Sequence, residues 1–254
     1  MIASALVQVQ RSDRPLVEAV AVESVLTARG VPVQRYTLKR LLRRQLPLGP
    51  SVLLTGDMEA VPIALRQLGV GQAPLGSYPA TVRPFLRRRI ERSTLGESFA
   101  AVERGERLFV KPAERAKGFT GFVCESYTDF SNAAGCSRRL PVWVAEPVRF
   151  ISEWRAYVVE GEPRAVAQYR GESEQAPLSF VVEVLSAVRE RGLVAAGFAL
   201  DVGRLSCGRL AVVECNEGYG LGLYPGCPHE VYVDLLLARW TELMAAAVSH
   251  SNHR

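Results

Sequence analysis

The sequence lacks several features that would each have settled a class. No run approaches the ~18 consecutive apolar residues of a membrane span, so a membrane protein is not expected. The opening Met1-Ile2-Ala3-Ser4-Ala5-Leu6-Val7 has no basic start, and Gln8 and Gln10 interrupt it. It reads as a first strand and not as a signal peptide, and the chain is expected to be cytoplasmic. Five cysteines, Cys124, Cys136, Cys207, Cys215 and Cys227, are odd in number and show no CxxC spacing. That argues against a disulfide framework or a structural zinc site. The three histidines, His229, His250 and His253, build no Ser-His-Asp or Cys-His set. No glycine-rich phosphate loop follows the first strand, so neither a Rossmann nor a P-loop nucleotide site is expected there. Internal repeats and low-complexity tracts are also missing.

What is present is an ordinary globular composition, 48% apolar and 22% charged over 254 residues, enough for one large domain or two to three small ones. The net charge of +5 gathers in two runs, Lys39-Arg40-Leu41-Leu42-Arg43-Arg44 and Arg83 to Arg89 followed by Arg92. The first reads as a solvated helix face. Either could meet phosphate, nucleic acid or an acidic peptide, and charge alone does not choose.

Periodicity divides the chain. Strands at Ala5–Gln10, Val31–Tyr36 and Ser51–Thr55 alternate with helices at Arg14–Ala28 and Glu59–Leu68, which suggests a small three-layer α/β unit over residues 1–75. Gly69 to Gly76 is the linker. Beyond it come short strands at Leu108–Lys111, Gly121–Glu125 and Val142–Glu146. A hairpin, Glu153–Val159 with Arg164–Arg170, turns at Glu160-Gly161-Glu162-Pro163. An amphipathic helix at Leu178–Arg191, strands at Val194–Val202 and Arg209–Cys215, and a closing helix at Glu230–Val248 complete an α+β chain.

The most informative stretch is Phe198 to Val202 with Ala211 to Asn216. Alternation places Glu214 and Asn216 on one face, and a two-residue turn at Cys207-Gly208 puts Asp201 opposite Glu214, with Cβ atoms about 4.5–5.5 Å apart. Two such carboxylates repel unless a cation lies between them, so Glu214→Gln is expected to stabilise the metal-free protein mildly. Asp201, Glu214 and the Asn216 oxygen form a hard-oxygen set suited to Mg²⁺. A solvated sheet face is the competing reading, disfavoured by the apolar surroundings of both strands. Upstream, Lys111 ends a strand beside a glycine-containing loop with Lys117 and Gly118, a way to surround phosphates. Glu146-Pro147-Val148 ends another strand with backbone groups able to read an adenine edge. Glu153 could accept from ribose hydroxyls, and Arg155 could point at phosphates; a surface ion pair is the alternative for these two.

In order and spacing, these elements resemble the ATP-grasp superfamily, and within it a clade of short members named for two arginines and one lysine. The resemblance covers residues 76–230. It is carried by Tyr78-Pro79 with Leu86-Arg87-Arg88-Arg89, Arg92-Ser93-Thr94-Leu95, Phe109-Val110-Lys111-Pro112, Phe119-Thr120-Gly121, Ser152-Glu153-Trp154-Arg155 and Val213-Glu214-Cys215-Asn216-Glu217-Gly218. It implies an ATP-grasp fold, a lid over residues 76–145 and a C-terminal subdomain over 146–254, with ATP between them. It also implies Lys111 and Lys117 on phosphates, Glu146 to Val148 as adenine hinge, Glu153 on ribose, and Asp201, Glu214 and Asn216 on Mg²⁺. Arg155 and Lys117 would stabilise the transferring phosphoryl group. Most of the superfamily carries an upstream lysine where this chain offers only Arg88, Arg89 and Arg92. Gly218 to Tyr224 would border the acceptor site. The implied activity is a Mg²⁺- and ATP-dependent carboxylate–amine ligase passing through an acyl phosphate, acting on small-molecule or peptide substrates. A macromolecular acceptor (a peptide, a protein or an RNA end), a non-catalytic ATP-binding module, and a basic nucleic-acid binder stay open beside it.

Overall fold

A computed structural model describes residues 2–10, 16–71, 75–113, 119–192 and 195–251. The first strand, β1 (Ser4–Gln8), lies between β2 (Val33–Tyr36) and β3 (Val52–Thr55) in a parallel sheet of order β2-β1-β3. Parallel neighbours require crossovers, and helices α1 (Val17–Ala28), α2 (Leu38–Leu42) and α3 (Ala60–Gln67) accompany these strands in alternation. Ala5, Leu6, Val7, Leu53 and Leu54 are all buried, because helices cover this short sheet.

A second sheet has the order β4-β7-β5-β6 and is antiparallel throughout. Its strands are β4 (Ile90–Thr94), β5 (Leu108–Pro112), β6 (Phe122–Cys124) and β7 (Pro141–Ala145), and helix α4 (Leu95–Glu103) packs on it. Thr94 and Glu97 start α4 with a reciprocal capping box, which satisfies two otherwise orphaned N–H groups. This unit has a small core of its own around Leu95, Val110, Phe130 and Val142. Tyr78, Val82, Phe85 and Leu86 pack into the core of the next sheet, and Tyr78 also meets Trp143 of β7 edge-on at 5.2 Å.

The third sheet, of order β11-β10-β8-β9, is the backbone of the molecule. It comprises β8 (Phe150–Val159), β9 (Glu162–Arg170), β10 (Gly197–Leu205) and β11 (Leu210–Glu217). β8 and β9 turn through Glu160 and Gly161, both at positive φ, 53° and 81°, the geometry whose twist suits a two-residue hairpin. β8 and β10 are buried almost end to end because both faces are covered. Trp154, Ala156, Val158, Phe198, Leu200 and Val202 share a core with helix α5 (Leu178–Glu190) on one side. On the other side Tyr157 and Ala199 join a core shared by helix α6 (His229–Ser251) and the N-terminal unit. The same face carries Arg155 and Asp201 further along the strands, toward the β4–β7 sheet. Among the described residues no helix is long and apolar enough to cross a membrane.

Candidate nucleotide and metal site

Asp201 stands opposite Glu214 in the ladder, and Arg155 opposite Asp201 from the other side. The turn that produces this register is not Cys207-Gly208 alone. Leu205 N–H donates to Arg209 O and Gly208 N–H to Leu205 O, closing a three-residue loop, Ser206 to Gly208, with Gly208 at φ 84°. That loop shifts the pairing by one residue. A β-bulge between Asp201 and Val202 shifts it back, so that Val202 pairs with Val212, Asp201 with Glu214, and Val213 is the extra residue. Without the bulge Glu214 would face Leu200 inside the apolar core, since a one-residue slip exchanges faces.

The bulge is held in place by Arg88. Its guanidinium donates to Leu86 O (2.9 Å), Val212 O (2.8 Å) and Val213 O (2.8 Å). It also lies 5.3 Å from the ring centre of Phe150 and 6.0 Å from that of Tyr78, within reach of a cation–π attraction. Burial holds the Arg88 pKa below its ordinary value. Of the arginines in the basic run, it is Arg88 that turns toward the carboxylate strand. Arg92 instead lies over Trp143 within the second sheet, 5.3 Å from its ring.

Each of the facing carboxylates already has a cation. Arg155 Nε and Nη2 donate to the two oxygens of Asp201, both at 2.8 Å, and Asn216 Nδ2 donates to Asp201 Oδ2 at 3.0 Å. The Arg155 and Asp201 side chains are only 8% and 3% exposed. Burial works against the Arg155 charge, but the Asp201 carboxylate outweighs it and raises the pKa. Lys111 Nζ reaches across from β5 to Glu214 Oε2 and to Ser77 Oγ, and lies 5.3 Å from the ring centre of Tyr78. The repulsion expected between Asp201 and Glu214 without metal is therefore compensated by Arg155 and Lys111. Glu214→Gln is accordingly expected to destabilise the metal-free protein and not to stabilise it, because the exchange removes the counter-charge of Lys111. Arg155, expected to point at phosphates, has its fork closed on Asp201. Its remaining nitrogen approaches Gly222 O at 3.4 Å, and the guanidinium lies 4.9 Å from the Tyr224 ring centre. Tyr224 stacks on Tyr169 at 4.7 Å.

The other expected residues are distributed around this centre. Glu153 is buried, and its two oxygens accept from Tyr169 Oη (2.9 Å) and Arg170 Nη1 (2.7 Å). Burial raises the Tyr169 pKa, and the Asp201 and Glu153 charges raise it further, so the phenol stays a donor. Glu146 is exposed and its N–H donates to Arg89 O; Val148, two residues on, is partly exposed between β7 and β8. Lys117 and Gly118 lie outside the described residues. Among the described residues no three His, Cys, Asp or Glu side chains converge as a metal cage would require. Two facing carboxylates and an amide oxygen nonetheless fit Mg²⁺, which commonly takes one or two carboxylates and leaves its other positions to phosphate and water. Sequence reasoning missed Ser77, Tyr78 and the particular role of Arg88, because only the fold brings them beside Lys111 and the bulge.

Residues 85–235, more than half of the chain, match the ATP-grasp domain of family 2 in the clade named for two arginines and one lysine. The chain belongs to the ATP-grasp family. That family uses ATP. Among solved structures, an ATP-grasp RimK domain protein from Sphaerobacter thermophilus is similar in fold, with a TM-score of 0.57, 18% identity, and coverage of 94% of this chain and 98% of that one. The macrocyclase MdnC from Microcystis aeruginosa, solved with its precursor peptide MdnA, gives a TM-score of 0.55 at 14% identity, covering 92% of this chain and 99% of that one. No curated protein matches the sequence.

Proposed function

We propose that this ATP-grasp protein is a ligase that uses ATP to join a carboxylate to an amine, through an acyl phosphate. The observation that carries the reading is the pair of facing carboxylates, Asp201 and Glu214, one of which is bridged to the second sheet by Lys111. In this reading the β4–β7 sheet is the lid lobe, the β8–β11 sheet is the C-terminal lobe, and ATP lies between them. A lysine and a metal-type carboxylate neutralising each other across a cleft are poised for exchange. ATP phosphates would take Lys111, and Mg²⁺, supplying charge neutralisation when bound, would be held by Asp201, Glu214 and Asn216. Glu146 to Val148 would meet adenine and Glu153 a ribose hydroxyl. Lys117 would add a second cation to the phosphates. Arg155, fixed by Asp201, contributes a positive charge that needs no reorganisation during transfer.

The chemistry balances simply. A substrate carboxylate oxygen attacks the γ-phosphorus, and the bond to the ADP oxygen breaks. The amine nitrogen then adds to the acyl carbon, phosphate leaves with the C–O electrons, and the nitrogen gives up a proton. Arg155 and Lys111 oppose the negative charge that builds on the phosphoryl oxygens. The fold shared with a macrocyclase that was solved with a peptide supports keeping a peptide among the acceptors, beside small molecules.

Lys111→Met tests the nucleotide half of this reading. ATP binding is expected to weaken far more than adenosine binding, and equal losses would refute a phosphate contact. ADP release with Mg²⁺ titrated, in the presence and absence of a carboxylate and an amine, tests the catalytic half. Turnover independent of any acceptor would favour a module that hydrolyses or merely holds ATP.

A further inference from the structure

Tyr78 is only 7% exposed and packs into the core of the third sheet. The backbone just before it is fastened to β11. Leu75 N–H donates to the Glu217 carboxylate, and Ser77 O accepts from Cys215 N–H at 2.9 Å. Glu217 is in turn paired with Arg239 of α6 at 2.9 Å, and both side chains are buried. The Tyr78 ring is therefore anchored on the same strand that carries Glu214.

Its contacts reach the other sheet. Lys111 and Trp143 oppose each other on β5 and β7, so their side chains share one face. Both meet the Tyr78 ring: Trp143 edge-on at 5.2 Å between ring centres, and the Lys111 ammonium at 5.3 Å from the ring centre. Arg88, which clamps the bulge next to Glu214, lies 6.0 Å from the same centre. One ring thus stands between the group that sets the carboxylates and the group expected on phosphate. Burial raises the Tyr78 pKa, so a neutral ring and not a phenolate meets these cations. A ring face attracts a cation within about 6 Å of its centre. Holding a lysine costs it rotamer freedom, and in this structure Glu214, Ser77 Oγ (3.3 Å) and the Tyr78 ring do so. Once Mg²⁺ takes Glu214, the ring and the hydroxyl are what remains of that set. The ring therefore counts for more with nucleotide bound than without, and such a difference is what changes an affinity.

We infer that Tyr78 is a positioning residue for ATP: its ring holds the Lys111 ammonium in place for the phosphates and, through Trp143, seats the lid sheet on the carboxylate strand. This rests on the reading of Lys111 as a phosphate ligand. The experiment is a calorimetric titration of the full chain with Mg-ATP and with adenosine. Tyr78 is replaced by phenylalanine and by trifluorophenylalanine, each in the wild type and in Lys111→Met. Fluorine empties the ring face of electrons at nearly constant shape, so it removes the attraction for a cation and leaves the packing. Tyr78→Phe should bind Mg-ATP like the wild type. The fluorinated ring should weaken Mg-ATP by about three- to tenfold and leave adenosine unchanged. In Lys111→Met the same fluorination should change Mg-ATP affinity by less than about twofold, since its target is gone. Mg-ATP affinity indifferent to fluorination, equal losses for ATP and adenosine, or an undiminished loss in Lys111→Met would overturn the inference. Lys111→Met that itself leaves ATP binding intact would instead sink the phosphate reading. A weakened Lys111→Met beside an unaffected fluorinated protein would refute the role of Tyr78 alone.

Discussion

Replacing Glu214 by Gln removes the counter-charge of Lys111, whose side chain is 18% exposed against 23% for Glu214. Exposed pairs contribute about 0–1 kcal/mol, and breaking a fully buried one costs about 3–5 kcal/mol. A pair of this intermediate burial should therefore cost about 1–2 kcal/mol when broken from one side. For a chain of this size that lowers the melting temperature by about 3–6 °C. Lys111→Met in the same protein removes the stranded cation, and the double variant should recover part of the loss, with a coupling of about 1 kcal/mol. Mg-ATP present at about a hundred times its dissociation constant should add about 2.7 kcal/mol to the wild type and far less to Glu214→Gln. The assay is a thermal melt of the four proteins of the cycle, with and without Mg-ATP. A melting temperature that rises or stays put in Glu214→Gln, or strictly additive single effects, would refute the exchange of partners on which the proposed function rests.

Asp201→Asn should be costlier, by about 3–5 kcal/mol, because it leaves the buried guanidinium of Arg155 without its counter-charge; a melt within about 2 °C of wild type, the change expected for less than about 1 kcal/mol, would contradict the pairing. Arg88→Lys keeps the charge but cannot span three carbonyl oxygens, so the variant should lose Mg²⁺-dependent ADP release while the core of the second sheet stays folded, as hydrogen exchange at Val110 and Val142 would report. The exposed Cys207 has its thiol pKa lowered by hydrogen bonding to Arg209, while burial pushes Cys124 and Cys227 up to about 12. Iodoacetamide near pH ~8 should therefore label Cys207 well before those two, since the thiolate is the reactive form, and mass spectrometry showing the reverse order would be decisive against it. None of the five cysteines, all among the described residues, is in a disulfide, so reductant and a zinc chelator should leave the melting temperature unchanged; a large drop with chelator would reveal a metal the fold does not explain.

Much of the C-terminal sheet is legible in the sequence because β8 and β10 are interior strands. Covered on both faces, they read as apolar runs interrupted chiefly at Glu153, Arg155 and Asp201, all three buried. The opposition of Asp201 and Glu214 is legible too, though through two one-residue shifts that cancel, since neither the three-residue loop nor the bulge has a pattern in apolar spacing. β4 is not legible. Ile90-Glu91-Arg92-Ser93-Thr94 lies at the edge of the second sheet, with no residue fully buried, and an edge strand with polar residues on both faces leaves no alternation to detect. The capping box Thr94-Leu95-Gly96-Glu97 is the available clue to α4. Arg88 cannot be separated from its neighbours by composition: five arginines lie between residues 83 and 92, and only the backbone path decides which one turns inward. Arg155 stands out as a site residue, but its immediate partner does not, because its contact with Asp201 depends on the β8–β10 register, which the sequence leaves free.

The clamp of Arg88 on the carbonyls of Val212 and Val213 has a consequence for the tip of the β10–β11 hairpin. In most hairpins the loop sets which residues face each other, so a change of loop length propagates down both strands. Here the alignment is anchored from outside the hairpin, at the bulge, well down the ladder from the loop. The tip around Ser206 to Gly208 has a separate tie, Ser206 N–H to Arg149 O, so residues spliced into it are expected to leave Glu214 opposite Asp201 as long as the Arg88 clamp holds. An affinity handle, a fluorescent label or a whole guest domain placed there would travel with the protein while leaving its charged centre in register.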